Sequence, residues 1–67
     1  MKYTIKCEQE VDGRWIVEIS DLPGVLTYGI TKEEAIVEAQ ALALRVVADK
    51  IEHRETTPDL FISFKTQ

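Results

Sequence analysis

The side chains of this chain that could carry chemistry are first of all its carboxylates. Hydrolysis by two metal ions needs several carboxylates that converge on ions about 4 Å apart. Glu8, Glu10 and Glu18 fall on predicted strands, mainly on the side that faces solvent, whereas Asp12 and Asp21 fall in predicted turns. This distribution predicts no convergent trio. We therefore expect no nuclease activity and no other enzymatic activity.

The cysteine and the histidine indicate no alternative chemistry. Cys7 and His53 are the single residues of their types among 67, which excludes an internal disulfide and argues against a zinc site. Cys7 alternates with Tyr3 and Ile5, as a structural thiol in a half-buried strand would. His53 falls at the end of a predicted helix, where an imidazolium interacts favourably with the helix dipole. We expect neither a metal nor a cofactor.

Composition and charge restrict the class of partner. Eight basic against twelve acidic residues give a formal net charge of −4, which disfavours binding to a nucleic-acid backbone and suits a basic protein partner. The sequence begins with an alternating pattern instead of a signal peptide, and its apolar runs are far shorter than the roughly 20 residues that span a bilayer. We expect one cytoplasmic domain over residues 1–67. A domain of this size is marginally stable by itself, so self-association is an expected source of stability.

Alternation of apolar and polar residues predicts three strands before any helix. The first covers residues 2–11, and Asp12-Gly13 after it is a strong hairpin signal. The second covers residues 14–20. Pro23-Gly24 fits the central positions of a type II turn, which leads into a third strand over residues 25–30.

A helix and a fourth strand complete the predicted domain. Thr31 and Glu34 have the spacing of a capping box, in which the threonine oxygen caps the helix and the glutamate reaches back. The helix then extends to about residue 52 or 54, and residues 60–64 form the last strand. A right-handed crossover places the fourth strand beside the first and parallel to it. The predicted fold class is α+β: a two-layer β-β-β-α-β domain with a three-stranded antiparallel meander, a parallel fourth strand and one helix on one face.

At about 100° per residue, the helix has two apolar stripes instead of one. The broader stripe is wide enough to cover the sheet and consists of Ala35, Ile36, Ala39, Leu42, Ala43, Val46 and Val47. The second lies on nearly the opposite side and consists of Val37, Ala41, Leu44, Ala48 and Ile51. We predict that the second stripe contacts a second copy of the chain or another partner, although alanines are also simply good helix formers. The outer sheet face is the other candidate contact, and we assign Ile16, Val25 and Thr27 to it.

Taken in order, several short motifs resemble those of one protein family. They are Tyr3 in the first strand, Asp12-Gly13 followed by Trp15, the DLPG of residues 21–24, then Thr27, Gly29, Thr31 and the EEA of residues 33–35. This ordered set resembles the HicB-like antitoxins of HicA/HicB-type toxin–antitoxin pairs over nearly the whole chain. The resemblance implies a partial ribonuclease-H-like fold, association into dimers or tetramers, and the binding and blocking of a small basic RNase toxin of HicA type.

The resemblance also suggests which residues face the toxin. Acidic side chains would meet the basic protein, and the candidates are Glu8, Glu10 and Glu18 on the sheet and Glu38, Asp49 and Glu52 on the helix. Many members of the family carry a C-terminal segment that binds operator DNA, whereas this sequence reaches Gln67 directly after the fourth strand, so we expect no direct nucleic-acid binding. An alternative keeps the fold without a toxin, as a self-associating structural or small-ligand-binding domain.

Overall fold

The computed structural model describes residues 1–56 and 61–66, and these residues form one four-stranded sheet and one helix. The elements are β1 (Lys2–Gln9), β2 (Trp15–Glu18), β3 (Leu26–Gly29), α1 (Lys32–Glu52) and β4 (Ser63–Thr66). The strand order is β3-β2-β1-β4, in which β2 is antiparallel to both neighbours and β1 is parallel to β4. The predicted α+β fold, with its parallel fourth strand beside the first, is confirmed.

The strands are shorter than the alternation predicts, and the last one begins later. Pairing with β1 begins where the Ser63 N–H donates to the Met1 carbonyl at 2.9 Å, so β4 starts at Ser63 and not at Leu60. Leu60 and the predicted loop residues 57–59 lie outside the described residues. Ile62 and Phe64 pack against the core from one side of the strand, as the alternation predicts.

The five residues 10–14 connect β1 to β2. The Glu10 N–H donates to the Arg14 carbonyl at 2.7 Å, and the Gly13 N–H donates to the Glu10 carbonyl at 2.9 Å. Gly13 has a φ of 94°, which residues with a side chain rarely adopt. The Asp12 carboxylate accepts hydrogen bonds from the Arg14 backbone N–H and from its guanidinium. These bonds, led by the one from the backbone, lower the pKa of Asp12.

The DLPG segment closes the connection between β2 and β3 with backbone hydrogen bonds. The Val25 N–H donates to the Leu22 carbonyl, and Gly24 has a φ of 79°, which is the value that a type II turn requires at this position. The Leu22 N–H in turn donates to the Ile19 carbonyl, and the Ile19 N–H donates to the Val25 carbonyl. The predicted turn is confirmed, and it returns the chain antiparallel to β2.

Asp21 completes the hydrogen bonding of β1 beyond the end of β2. Its carboxylate accepts a hydrogen bond of 2.8 Å from the Thr4 N–H. The β1–β2 register, which places Lys6 opposite Glu18, would place Ser20 opposite Thr4, but β2 ends before that point. The carboxylate therefore replaces the strand carbonyl that Thr4 would otherwise meet, and the backbone donor stays paired.

The two faces of β3 are the reverse of those predicted. Directly opposite residues of antiparallel strands share a face, and the register pairs the buried Val17 with Thr27. Val25 is only 2 % exposed, and the Thr27 hydroxyl donates to a carbonyl of α1. The prediction that Val25 and Thr27 lie on the outer face, where a partner could contact them, is therefore wrong. Leu26 and Tyr28 lie on the outer face instead.

The core lies between the sheet and the broader apolar stripe of α1. The buried residues of the helix are Ala35, Ala39, Ala43 and Val47. The largest fully buried side chains come from the sheet and its connections, namely Ile5, Val17, Ile19 and Val25. Half-buried residues, including Cys7, Trp15, Ile36, Leu42 and Val46, pack around them. The prediction that this stripe covers the sheet is confirmed, and its alanines allow the helix backbone to approach the strands closely.

The first turn of α1 is held against β3 at very short range. A Cβ atom added at Gly29 would lie 2.7 Å from the Ala35 nitrogen and 3.0 Å from its Cα. The Thr27 hydroxyl donates to the Ala35 carbonyl at 2.8 Å, and the Thr31 hydroxyl oxygen accepts from the Glu34 N–H at 3.1 Å. The predicted cap at Thr31 is confirmed, whereas the return bond to the Glu34 carboxylate is absent among the hydrogen bonds of the described residues. We call Thr27, Gly29, Thr31 and Ala35 the helix clamp.

We expect Gly29→Ala to lower the free energy of unfolding by about 1–3 kcal/mol, because the added methyl group overlaps backbone atoms of α1 and displaces the helix. Urea unfolding followed by circular dichroism measures the change. Gly13→Asn is the control, because no atom lies within 4 Å of a Cβ added at Gly13 and asparagine is among the side chains that adopt a positive φ most often. A loss of stability at Gly29 no larger than that at Gly13 would contradict the clamp.

Candidate partner-binding surface

The side of α1 that faces away from the sheet exposes the second apolar stripe. Val37 is 64 % exposed and Leu44 is 46 % exposed. Ala48 is also exposed, Ala41 is half-buried, and Ile51 is half-buried because it packs against the core. These residues recur with the helical period, so they form a continuous strip along the helix. We call these five residues the outer stripe; their contact with a partner stays a prediction.

One margin of the outer stripe is acidic. At about 100° per residue, the next side chains around the helix are Glu34, Glu38, Asp49 and Glu52, with Arg45 as the base among them. All of them are exposed. The predicted partner-facing Glu38 thus belongs to a row of four carboxylates and one guanidinium that runs beside apolar surface. We call this row the acidic margin.

The outer face of the sheet, in contrast, has mixed charge. Of the three acids predicted to face a partner from the sheet, Glu8 and Glu18 are exposed and Glu10 is half-buried beside the hairpin loop. Lys6 lies directly opposite Glu18 in the register, and Lys65 of β4 lies on the same face. The structure therefore does not bring these three acids together with Glu38 into one acidic surface.

An apolar patch at the β3 end of the outer sheet face was missed by the sequence reasoning. Leu26 is 45 % exposed, Tyr28 51 % and Ile30 78 %. Ile16, which was predicted to lie on this face, is half-buried opposite Tyr28. The Arg14 guanidinium lies over the Tyr28 ring, 5.6 Å from its centroid. The strand register is the signal that could have found the patch, because residues opposite each other share a face.

The helix ends in a Schellman motif. The Glu55 N–H donates to the Lys50 carbonyl at 2.8 Å, and the Arg54 N–H donates to the Ile51 carbonyl at 3.0 Å. Arg54 has a φ of 57°, the left-handed conformation that this motif requires after the last helical residues. The motif satisfies carbonyl groups at the helix end and directs Glu55 back toward the last turn.

This helix end brings three possible metal ligands close together. Among the described residues, Asp49, His53 and Glu55 place ligand atoms within 4.8 Å of one another, and all three are exposed. Nδ1 of His53 is 2.8 Å from the Asp49 carbonyl oxygen and 3.3 Å from its carboxylate. The helix cap therefore already accounts for the proximity of these groups.

The described residues form neither a pocket nor a membrane-spanning helix. No cavity is found between the described elements. The helix α1 is 21 residues long, but charged side chains recur along it, and it is not apolar enough to cross a membrane. The exposed apolar surface of the described residues includes the outer stripe, with its acidic margin, and the apolar patch beside β3.

Comparisons with known proteins agree with the motifs. Residues 2–60 match the model of the HicB-like antitoxins of bacterial toxin–antitoxin systems. The chain is 33 % identical over 58 residues to a protein of Thermoplasma acidophilum described as UPF0150 protein Ta0767, and the match covers 87 % of this chain and 84 % of that protein. No solved structure matches the chain, and the ribonuclease-H-like relationship implied by the resemblance stays a prediction.

We expect protonation of His53 to stabilise the folded chain. Its pKa is raised because the Asp49 carbonyl accepts a hydrogen bond from the ring and the Asp49 carboxylate attracts the imidazolium. The stabilisation is fully present below the unfolded pKa of about 6.5 and is lost as the pH rises through the higher folded pKa. The melting temperatures of the wild type and His53→Gln should therefore differ at about pH 5.5 and converge at about pH 8.5. A difference that stays constant over this range would contradict the assignment.

Proposed function

The chain belongs to the HicB-like antitoxin family, and from that premise we propose that it binds a small basic ribonuclease toxin and blocks the toxin's active site. Membership in an antitoxin family supports our proposal that the chain acts by binding another protein and not by catalysis. The proposed contact is the outer stripe of α1 together with its acidic margin. We propose that the chain acts in the cytoplasm, where the RNA substrates of such a toxin are found.

The proposal rests mainly on the exposed apolar stripe on the solvent side of α1. A helix that covers one sheet normally has polar side chains on its opposite side. Here Val37 and Leu44 are 64 % and 46 % exposed with alanines between them. Full burial of a side chain such as Leu or Val contributes about 1.5–3 kcal/mol. Covering this stripe with a partner would therefore supply a substantial part of a stable interface.

The acidic margin fits the charge of the proposed partner. Its four carboxylates exceed its single guanidinium, so the field beside the outer stripe attracts a basic protein and raises the rate of association. Glu38 lies in this margin, and we retain it as a proposed toxin-facing residue. A toxin-facing role is less well supported for the sheet residues Glu8, Glu10 and Glu18, because lysines lie on the same face.

The probe for this proposal is the small basic protein encoded by the reading frame next to the gene for this chain. We expect the chain to bind it, as measured by isothermal titration calorimetry, and to inhibit its cleavage of RNA. Leu44→Lys should lower the affinity at least about tenfold, because it removes an apolar contact and opposes a basic partner with a positive charge.

The matched control is Leu26→Lys, because Leu26 and Leu44 are 45 % and 46 % exposed but lie on different surfaces. It should leave the affinity for the basic protein nearly unchanged. If no small basic ribonuclease encoded beside the gene is bound or inhibited, the proposed function is wrong. If Leu44→Lys instead lowers the mass of a homo-oligomer in the absence of any such partner, the self-associating alternative is favoured.

A further inference from the structure

The outer stripe repeats with a regular spacing along α1. Its members follow one another at alternate steps of four and three residues, in the order Val37, Ala41, Leu44, Ala48 and Ile51. Alternate steps of four and three residues make a heptad repeat, the pattern by which one helix packs along another. The stripe extends over two heptads, or about 21 Å of helix. The spacing therefore favours a second helix, lying along α1, as the element that covers it.

The exposure of the outer stripe falls along the helix as a heptad repeat requires. Seven residues fall about 20° short of two full turns of a straight α-helix, so each later member is turned further around the axis. Val37 is 64 % exposed, Leu44 is 46 % exposed, and Ile51 packs against the core. A covering helix would follow this rotation by crossing α1 at about 20°, a common angle between packed helices. It would contact the stripe fully up to Ala48 and only marginally at Ile51.

A strand or an irregular segment would fit this surface poorly. The backbone N–H and C=O groups in the middle of α1 are bonded within the helix, so they offer no hydrogen bonds to a segment that lies on it. An extended segment would bury its own backbone groups unpaired on this side, which costs free energy. A helix satisfies its own backbone and presents only side chains. Ala41 leaves a hollow between Val37 and Leu44 in which a side chain of a second helix can pack.

Charged residues flank the outer stripe at the same interval of seven. Glu38, Arg45 and Glu52 each follow one of the larger members of the stripe by one position, and all three are exposed. Coiled coils place the charges that select a partner at such flanking positions. On the other side of the stripe, Gln40 is half-buried and Val47 is buried, so that side is turned toward the sheet. The charges that a covering helix meets are therefore an acid, a base and an acid in order.

Arg45 forms no ion pair within the part of the chain that the structure describes. Glu38 and Glu52 are seven residues away from it, whereas side chains meet along a helix at intervals of three or four. Asp49 is at such an interval, but its carboxylate lies 3.3 Å from Nδ1 of His53. A partner that covers the middle of the outer stripe also removes water from the guanidinium, which is costly unless the partner supplies a carboxylate there.

We propose that the toxin covers the outer stripe with one amphipathic α-helix, whose flank carries a basic, an acidic and a basic residue at intervals of seven. This inference rests on the proposed function and names the element through which the toxin would bind. The two basic residues would meet Glu38 and Glu52, and the acidic residue would meet Arg45. The order reads the same in both directions, so it applies to parallel and to antiparallel helices.

A second copy of α1 lacks this flank. In an antiparallel pair of identical helices the two acidic margins lie on the same side of the contact, and each contributes four carboxylates and one guanidinium. Most of the carboxylates would then face like charge, which is costly. In a parallel pair the margin would face the opposite flank of the copy, which is turned toward the copy's own sheet. A helix of a basic protein suits both the apolar stripe and its charges.

The sign of the effect of Arg45→Glu tests the proposal. Attraction between an acidic chain and a basic protein would by itself raise the affinity of this variant, because the variant is more negative. The proposed pairing instead predicts an affinity at least about tenfold lower, because the acidic residue of the toxin helix would meet a carboxylate. Isothermal titration calorimetry with the small basic protein encoded beside the gene measures the affinity.

The matched control is Lys65→Glu, which makes the same change of charge at an exposed residue of β4, away from α1. It should not lower the affinity. Circular dichroism should show both variants as helical as the wild type, because both side chains are exposed.

A compensating change in the toxin separates a charge contact from a loss of folding. The acidic residue of the toxin helix is the one with a basic residue seven positions before and after it. Its replacement by lysine should restore the affinity for Arg45→Glu and lower the affinity for the wild type. An Arg45→Glu variant that binds as tightly as the wild type, or a lysine that restores nothing, would overturn this inference and leave the proposed function standing. A wild type that does not bind the basic protein would overturn both.

Discussion

The close contact between the first turn of α1 and β3 is the constraint on which the rest of the structure depends. Gly29 leaves no space for a Cβ beside the Ala35 backbone, and the Thr27 hydroxyl joins the strand to the Ala35 carbonyl. The helix clamp therefore sets both the height and the rotation of α1 over the sheet. Once the rotation is set, the apolar stripe through Ala39 and Ala43 must face inward and Leu44 must face outward.

The same constraint explains why this small domain exposes apolar side chains both on α1 and beside β3. Small residues on the helix side of β3 let α1 come close, and the larger residues Leu26 and Tyr28 are consequently left on the other face. A single helix also has only one side that can face the sheet, so Val37, Leu44 and Ala48 of the outer stripe stay exposed. The two surfaces differ in their charged neighbours: the Arg14 guanidinium lies over Tyr28 beside β3, and the outer stripe has an acidic margin.

Features with local signals were predictable from the sequence, and those that depend on strand register were not. Thr31 marks the helix start and Pro23-Gly24 marks a turn because a few neighbouring residues suffice for each. The faces of β3 could not be read in this way, since both of its alternating sets contain apolar residues. Pairing with β2 decides between them, and it buries Val25. The outer stripe was predictable from helical period alone, whereas the apolar patch beside β3 required the register.

We propose that the helix clamp turns the outer stripe toward a basic protein partner. NMR titration of the isotope-labelled chain with the small basic protein encoded beside its gene tests this most directly. The account predicts that amide shifts change along the solvent side of α1, around Val37, Leu44 and Ala48, while the amides of β1 and β4 stay unchanged. Shifts confined to the sheet, with the helix amides unchanged, would contradict it.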